Sequence, residues 1–248
     1  MNNLIALTAR EWKAFWYSPV AYVVGAFFLL LQGWVFWLIL AVLNDPRVDP
    51  TWRMANFFFG GTLFYWIPVL LMTPLMTMRT FSEEKRTGTF EVLLSAPVSD
   101  WQVVIAKFLG AWLSYCALWA ITIVFFLILR SHTAIDWGPV WSGYLYTVLI
   151  GAALLSIGVL ASSMTRNQVI AGFVGFVLMM LLFSVGMLDA FITDPESRKL
   201  VAYYSLFDHA HDFGKGLIDT RPIVLYLSLA AVSLFLTVRV IGSPRWRS

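Results

Sequence analysis

The stretch Val140-Trp-Ser-Gly-Tyr-Leu-Tyr-Thr-Val-Leu-Ile-Gly-Ala-Ala-Leu-Leu-Ser-Ile-Gly-Val-Leu-Ala-Ser-Ser-Met-Thr165 contains no Asp, Glu, Lys or Arg. As a helix rising about 1.5 Å per residue it can cross roughly 30 Å of hydrocarbon, and a lone segment satisfies its own backbone there only as a helix. Five further charge-free windows lie around it: Pro19 to Leu43, Met54 to Met78, Phe108 to Leu129, Val169 to Leu188 and Pro222 to Val238. The whole chain agrees, with 60% hydrophobic and 12% charged residues where a soluble domain carries about a quarter charged. The reading is an all-α membrane protein, a single transmembrane domain over residues 1–248 with spans at 19–43, 54–78, 103–129, 140–163, 169–188 and 222–241.

These spans leave little chain for a separate soluble module. A formal net charge of +3 is too small and too dispersed to suggest nucleic acid. The single cysteine, Cys116, excludes an intramolecular disulfide and any cysteine cluster for zinc or iron–sulfur. No cleavable signal peptide is expected, because the first apolar run is too long for one and ends in Asn44, Asp45 and Pro46.

Topology follows from the basic residues. Arg10, Lys13, Arg79, Lys85, Arg86, Lys107, Arg166, Arg239, Arg245 and Arg247 fall on the side of the N-terminus. Arg47, Arg53, Arg130, Arg198, Lys199, Lys215 and Arg221 fall on the other, ten against seven of the 17. The expectation is a multi-pass protein with both termini cytoplasmic.

Ahead of the first span, in 1–18, Leu4, Ile5, Trp12, Phe15 and Trp16 share one helical arc while Arg10 and Lys13 point away, the pattern of an interfacial helix. The span centres hold no ionisable group, which disfavours proton- or sodium-coupled transport. Lys107 and Arg239 lie near span ends, where snorkelling accounts for them. Small residues recur at packing distance: Ala152 with Ser156, Gly158 with Ser162, and Ala171 with Gly175. Pro68 and Pro74 predict a kink or break in the second span.

The densest run of charge is Arg79-Thr-Phe-Ser-Glu-Glu-Lys-Arg-Thr-Gly-Thr-Phe-Glu-Val-Leu-Leu-Ser-Ala-Pro-Val-Ser-Asp-Trp-Gln102. The second span should continue through Glu83 to Arg86 and end at Gly88, a C-cap glycine. Thr89 can open a short helix with Glu91 near its positive end, closed by Pro97. Phe90, Leu93 and Leu94 share one face of it. Ser99 and Gln102 form a capping box for the third span. The apolar face has two destinations, a protein partner or the subunit and membrane surface behind it.

The run from Glu83 through Pro97 to Lys107 resembles the loop signature of ABC-2 type permeases, the membrane subunits of many ABC exporters, and is most similar to the gliding-motility type. The stretches Glu11 to Tyr22 and His211 to Arg221 agree with it. The resemblance implies that 1–18 is a connecting helix, with Arg10, Trp12, Lys13 and Trp16 on it, and that 82–98 carries a coupling helix for a separate ATPase. Phe90, Leu93 and Leu94 would then be the docking face, Glu83, Glu84, Arg86 and Glu91 the polar contacts, and Gly88 and Pro97 the shape of the turn, with Thr89 also matching the family's pattern. It also implies two ATPase subunits and a second permease, identical or homologous, in a bacterial inner membrane, with ATP and Mg bound by the ATPase. This chain binds no cofactor of its own in that reading: it has no G-x-x-x-x-G-K-[ST] loop and no soluble stretch large enough for an NTPase domain.

The outward segment 189–221 contains Phe207-Asp-His-Ala-His-Asp-Phe213. His209 and His211 at i, i+2 point about 160° apart on a helix, a poor chelate, and zinc needs three or four converging ligands. An interfacial helix, contacting lipid or an extracytoplasmic accessory protein, is favoured over a metal-dependent enzyme built on Asp208, His209, His211 and Asp212. A complex that transmits force rather than cargo is the other alternative to an exporter.

Overall fold

The computed structural model describes residues 2–43, 54–60, 62–90, 98–132, 135–187, 194 and 203–242. Among them every regular element is a helix: α1 (Asn2–Tyr17), α2 (Pro19–Leu43), α3 (Met54–Phe58), α4 (Leu63–Thr77), α5 (Ser82–Thr87), α6 (Asp100–Ile121), α7 (Ile123–Arg130), α8 (Trp137–Met164), α9 (Gln168–Met187), α10 (Leu206–Gly214) and α11 (Thr220–Gly242). Six helical stretches are long and apolar enough to span a membrane: Pro19–Val42, Ala55–Thr87, Asp100–Arg130, Trp137–Met164, Gln168–Gly186 and Thr220–Gly242.

Local chemistry explains several helix ends. The Ser99 hydroxyl accepts from the Gln102 amide at 3.3 Å while the Gln102 side chain accepts from the Ser99 amide at 3.1 Å, so the capping box starts α6 as its sequence predicts. Gly88, at φ 74°, caps α5 in the left-handed region.

The second span departs from expectation. Its prolines do not break it, for α4 runs through both Pro68 and Pro74. The hydroxyls of Thr73 and Thr77 donate to the Val69 and Thr73 carbonyls at 2.8 and 2.9 Å, bonds within the helix distinct from those that the prolines remove. The span is interrupted on both sides of α4: a turn over 78–81 replaces the expected continuous helix into Glu83 to Arg86, and upstream stands Gly60, whose φ of 120° disfavours a side chain and where Ala210 of α10 occupies the space a Cβ would need. The third span bends at Thr122, whose hydroxyl donates to the Trp119 carbonyl at 2.6 Å and lies 2.7 Å from the Tyr144 hydroxyl.

The bundle is built around α8. Its apolar window is 78% buried, against 22% for α9 and α11, and it packs on α4, α6, α9, α10 and α11. Small residues permit this. At Gly158 an added Cβ would lie 2.1 Å from the Thr77 hydroxyl, while Gly175 of α9 approaches the Gly158 Cα and the Ala161 side chain. The predicted small pairs thus serve packing within the subunit. An aromatic core fills the space between α4, α6 and α8, with Tyr65, Trp66, Trp119 and Tyr146 buried and in ring contact. Large apolar side chains on the outer faces, such as Trp37, Phe173 and Leu227, are exposed to what in a membrane is lipid.

Candidate functional site: the corner of α1, α5 and α6

Charge gathers where α1, the end of α4, α5 and the start of α6 meet. The amphipathic α1 lies directly on α6. Their backbones touch at Gly110, where a Cβ would fall 2.8 Å from the Glu11 Cβ and 3.2 Å from the Trp12 amide nitrogen. Phe15 and Trp16 pack on the core, whereas Arg10, Trp12 and Lys13 are exposed. That division matches the sequence arc except for Ile5 and Trp12, which point outward, toward the bilayer surface in a membrane.

The turn between α4 and α5 hangs on one residue of α8. The Ser162 hydroxyl accepts from the amides of Phe81 and Ser82 at 3.1 and 3.2 Å and donates to the Met78 carbonyl at 3.2 Å. One hydroxyl has one proton and two lone pairs, so its capacity is fully used. Lys85 donates to the neighbouring Ser163 carbonyl and stands 5.4 Å from the centre of the Phe90 ring.

At the centre of the corner is Lys107, 3% exposed. Its ammonium donates to Glu84 Oε1 at 2.7 Å and to Glu11 Oε2 at 3.3 Å, and lies 5.3 Å from the centroid of the Phe81 ring. Arg10 adds a second cation on Glu11 at 2.8 Å. One side chain therefore joins α1, α5 and α6. Snorkelling does not describe it: the ammonium is held inside by two carboxylates, which removes the reason to reach water.

The residues predicted for docking divide. Glu83 and Glu84 are half-buried, while Arg86 in the last turn of α5 and Gly88 and Thr89 beyond it are exposed, with the hydroxyls of Thr87 and Thr89 2.9 Å apart. Phe90 corrects the expectation of a docking face. It is buried with Phe81, Val103, Val104, Val159 and Ile241, its ring edge-on to Phe81 at 6.4 Å. The left-handed Gly88 turns the chain back, so this ring fastens the loop to the bundle. Glu91, Leu93, Leu94 and Pro97 lie outside the described residues. Glu11, Lys107 and Ser162 were absent from the sequence-derived set; the one available signal was a lone lysine just inside an apolar run with unpaired acids in two neighbouring segments.

On the opposite face, α10 is docked onto the bundle. Tyr146 donates to the Leu206 carbonyl at 2.8 Å and Ser142 to the Phe213 carbonyl at 2.6 Å. The two histidines diverge as a helix requires. His209 Nδ1 lies 2.9 Å from the Tyr226 hydroxyl of α11, and His211 Nδ1 lies 3.0 Å from Asn56 Oδ1 of α3. Among the described residues no group of three or more His, Cys, Asp or Glu converges as metal ligands would.

Burial lowers the His209 pKa, opposed by Asp208, Asp212 and Asp219. A folded-state pKa depressed below the unfolded value of about 6.5 gives stability that is complete above that value and lost as pH falls through the folded one. The protection of the α10 amides, taken relative to the intrinsic exchange rate at each pH, is therefore expected to fall on going from pH 7.5 to pH 5. His209→Gln should flatten the response; an equal response in the variant would assign it to another group.

Residues 49–207, more than half of the chain, match the family described as ABC-2 family transporter protein. The match takes in the second to fifth spans and the charged loop, leaving α1, α2, α11 and all but the start of α10 outside it. No curated protein matches the sequence. Six apolar helices around a central α8, interrupted by one charged loop, are the membrane component of a transporter, and the chain belongs to the ABC-2 transporter family as a permease subunit rather than an enzyme in its own right.

Proposed function

We propose that the segment 82–98 is the element through which a separate ABC ATPase moves this subunit, and that the complex exports or extracts a substrate. The observation carrying the proposal is the Lys107 anchor. A push on α5 reaches Glu84, and through Lys107 it reaches α6 and α1 together, so the loop cannot be displaced without its spans. The ATPase pair supplies ATP and Mg chemistry; the permease works as one of two copies or homologues, with both termini cytoplasmic in a bacterial inner membrane. The resemblance of the loop to the gliding-motility type supports membership in that branch, which does not require that its host glide. Closure of the ATPases would rock packed helices between two arrangements.

Leu94→Asp tests this. Co-purification of the ATPase and coupled ATP turnover in proteoliposomes should fall by at least tenfold, while the amount of correctly folded permease stays constant. Wild-type recruitment and turnover in the variant would refute the coupling role.

One observation favours mechanical transmission as a second reading. The single helix α8 holds the charged loop at one end through Ser162 and the α10 segment at the other through Ser142 and Tyr146. An outward accessory protein resting on α10 would then feel ATPase closure without any cargo crossing. Substrate flux in sealed vesicles separates the readings: flux that follows ATP supports export, and ATP-dependent movement of α10 without flux supports transmission.

A further inference from the structure

Beneath the Lys107 corner is a cleft of about 370 Å³. Glu11, Phe15, Val20, Met76, Arg79 and Glu84 are among its walls, with Leu75, Glu83 and Lys107 completing the parts used below. Its level is marked by three elements: Val20 lies at the start of α2, Arg79 just after the end of α4 and Lys107 in the second turn of α6. All three mark the depth of phospholipid headgroups on the face that carries the N-terminus.

The charges in the cleft do not balance internally. Lys107 is committed to Glu84 Oε1 and Glu11. Two buried polar atoms remain without a hydrogen-bond partner among the described residues, Arg79 Nε and Glu84 Oε2. The first is a donor and the second an acceptor. Buried groups of this kind need partners, and leaving them unmet is costly. Glu83 adds a second carboxylate on the same wall, so the ligand must present an anionic acceptor and a cationic donor close together.

We infer that this cleft binds the headgroup of a phospholipid bearing a primary amine, of the phosphoethanolamine kind. Its phosphate accepts from Arg79, and its ammonium donates to Glu84 Oε2 and Glu83. Phosphocholine offers the phosphate but has no N–H to give the carboxylates. A phosphoglycerol headgroup brings hydroxyl donors but no cation, and adds a negative charge beside two carboxylates. The apolar walls choose a lipid over a free phosphate ester. Phe15, Val20 and Met76 line the cleft, and Leu75, 38% exposed one turn below Arg79, continues it toward the hydrocarbon as a track for an acyl chain. A lipid held there touches α1, α4, α5 and α6 at once, independently of any ATPase.

The test is native mass spectrometry of the delipidated full-length protein, offered equal amounts of phosphatidylethanolamine, phosphatidylcholine and phosphatidylglycerol with identical chains, and separately the chain-free glycerophosphoethanolamine. Phosphatidylethanolamine should be retained about tenfold over phosphatidylcholine, and above phosphatidylglycerol, with no retention of the chain-free ester. Glu83→Gln should narrow the preference for the amine and Arg79→Gln should lower retention of all three lipids, whose phosphate is common, whereas Arg221→Gln, on the opposite face beside Asp219, should leave both unchanged. Equal retention of the three lipids, or preference for phosphatidylglycerol, overturns the amine assignment. Retention of the chain-free ester equal to that of the lipid overturns the bilayer source. The headgroup series on the unmodified protein decides the matter even if Arg79→Gln fails to fold.

Discussion

Lys107→Met is expected to lower the stability of the subunit by about 3 kcal/mol and to uncouple it from its ATPase. Breaking a buried ion pair by removing one partner costs about 3–5 kcal/mol, because the other charge is left behind without compensation. Here two carboxylates are left, but Glu11 and Glu84 are 18% and 22% exposed, so water relieves part of the cost and the lower end applies. Arg10 remains on Glu11, which makes Glu84 the group that loses most. The triple variant Lys107→Met, Glu11→Gln, Glu84→Gln should recover much of the stability, since no buried charge is then orphaned and Arg10, 55% exposed, is left to water, yet remain uncoupled. Thermal midpoints in detergent read the first effect and ATPase turnover in proteoliposomes the second. A Lys107→Met protein with the wild-type midpoint and full coupled turnover would show that the corner is neither a support nor a linkage.

The second large effect is steric. Gly158→Leu places its first side-chain carbon 2.1 Å from the Thr77 hydroxyl and 2.9 Å from the Thr77 Cβ. Thr77 cannot swing aside: it is branched next to its backbone, buried, and bonded to the Thr73 carbonyl. Methionine 179 closes the other side, its terminal carbon 3.2 Å away. Overpacking of a filled core costs about 1–3 kcal/mol when neighbours can adjust, and the upper end or beyond is expected where two helix backbones must separate. Gly33 is the control, because nothing lies within 4 Å of a Cβ added there. Gly33→Ala should be neutral or stabilising by up to about 1 kcal/mol, as removal of a mid-helix glycine usually is. If Gly158→Leu and Gly33→Ala gave equal yields of folded protein and equal midpoints, α8 would not be the close-packed axis described above.

What could be read from the sequence divides by the range of the interaction. The spans were legible because a membrane penalises every charge in a window, whatever the fold. The Ser99 and Gln102 box and the Gly88 cap were legible because each is decided within a few residues. The divergence of His209 and His211 followed from helical angle alone. Lys107 was misread because its partners lie 23 and 96 residues away, and no local pattern distinguishes a snorkelling lysine from a paired one. Phe90 was misread because an i, i+3, i+4 face records only that the face is apolar, not which surface covers it. The interruption at Gly60 was hidden for the opposite reason: the prolines gave a strong local signal for a break, while the break at Gly60 goes with the close approach of Ala210, far along the chain.

The contact between Glu11 and Lys107 also sets a clock. The two residues are 96 positions apart in the chain, and Glu84 precedes Lys107 by 23. A ribosome adding about 5–20 residues per second finishes Lys107 some 5–20 s after Glu11. During that interval α1 has neither the cation nor the Gly110 surface on which it later rests. The first helix made is thus fixed only once the third span exists, and until then it waits on the bilayer surface, held by Ile5 and Trp12. Slowing translation between codons 11 and 107 prolongs the stage at which Glu11 is exposed to quality-control proteases, while slowing it after codon 130 leaves that stage unchanged.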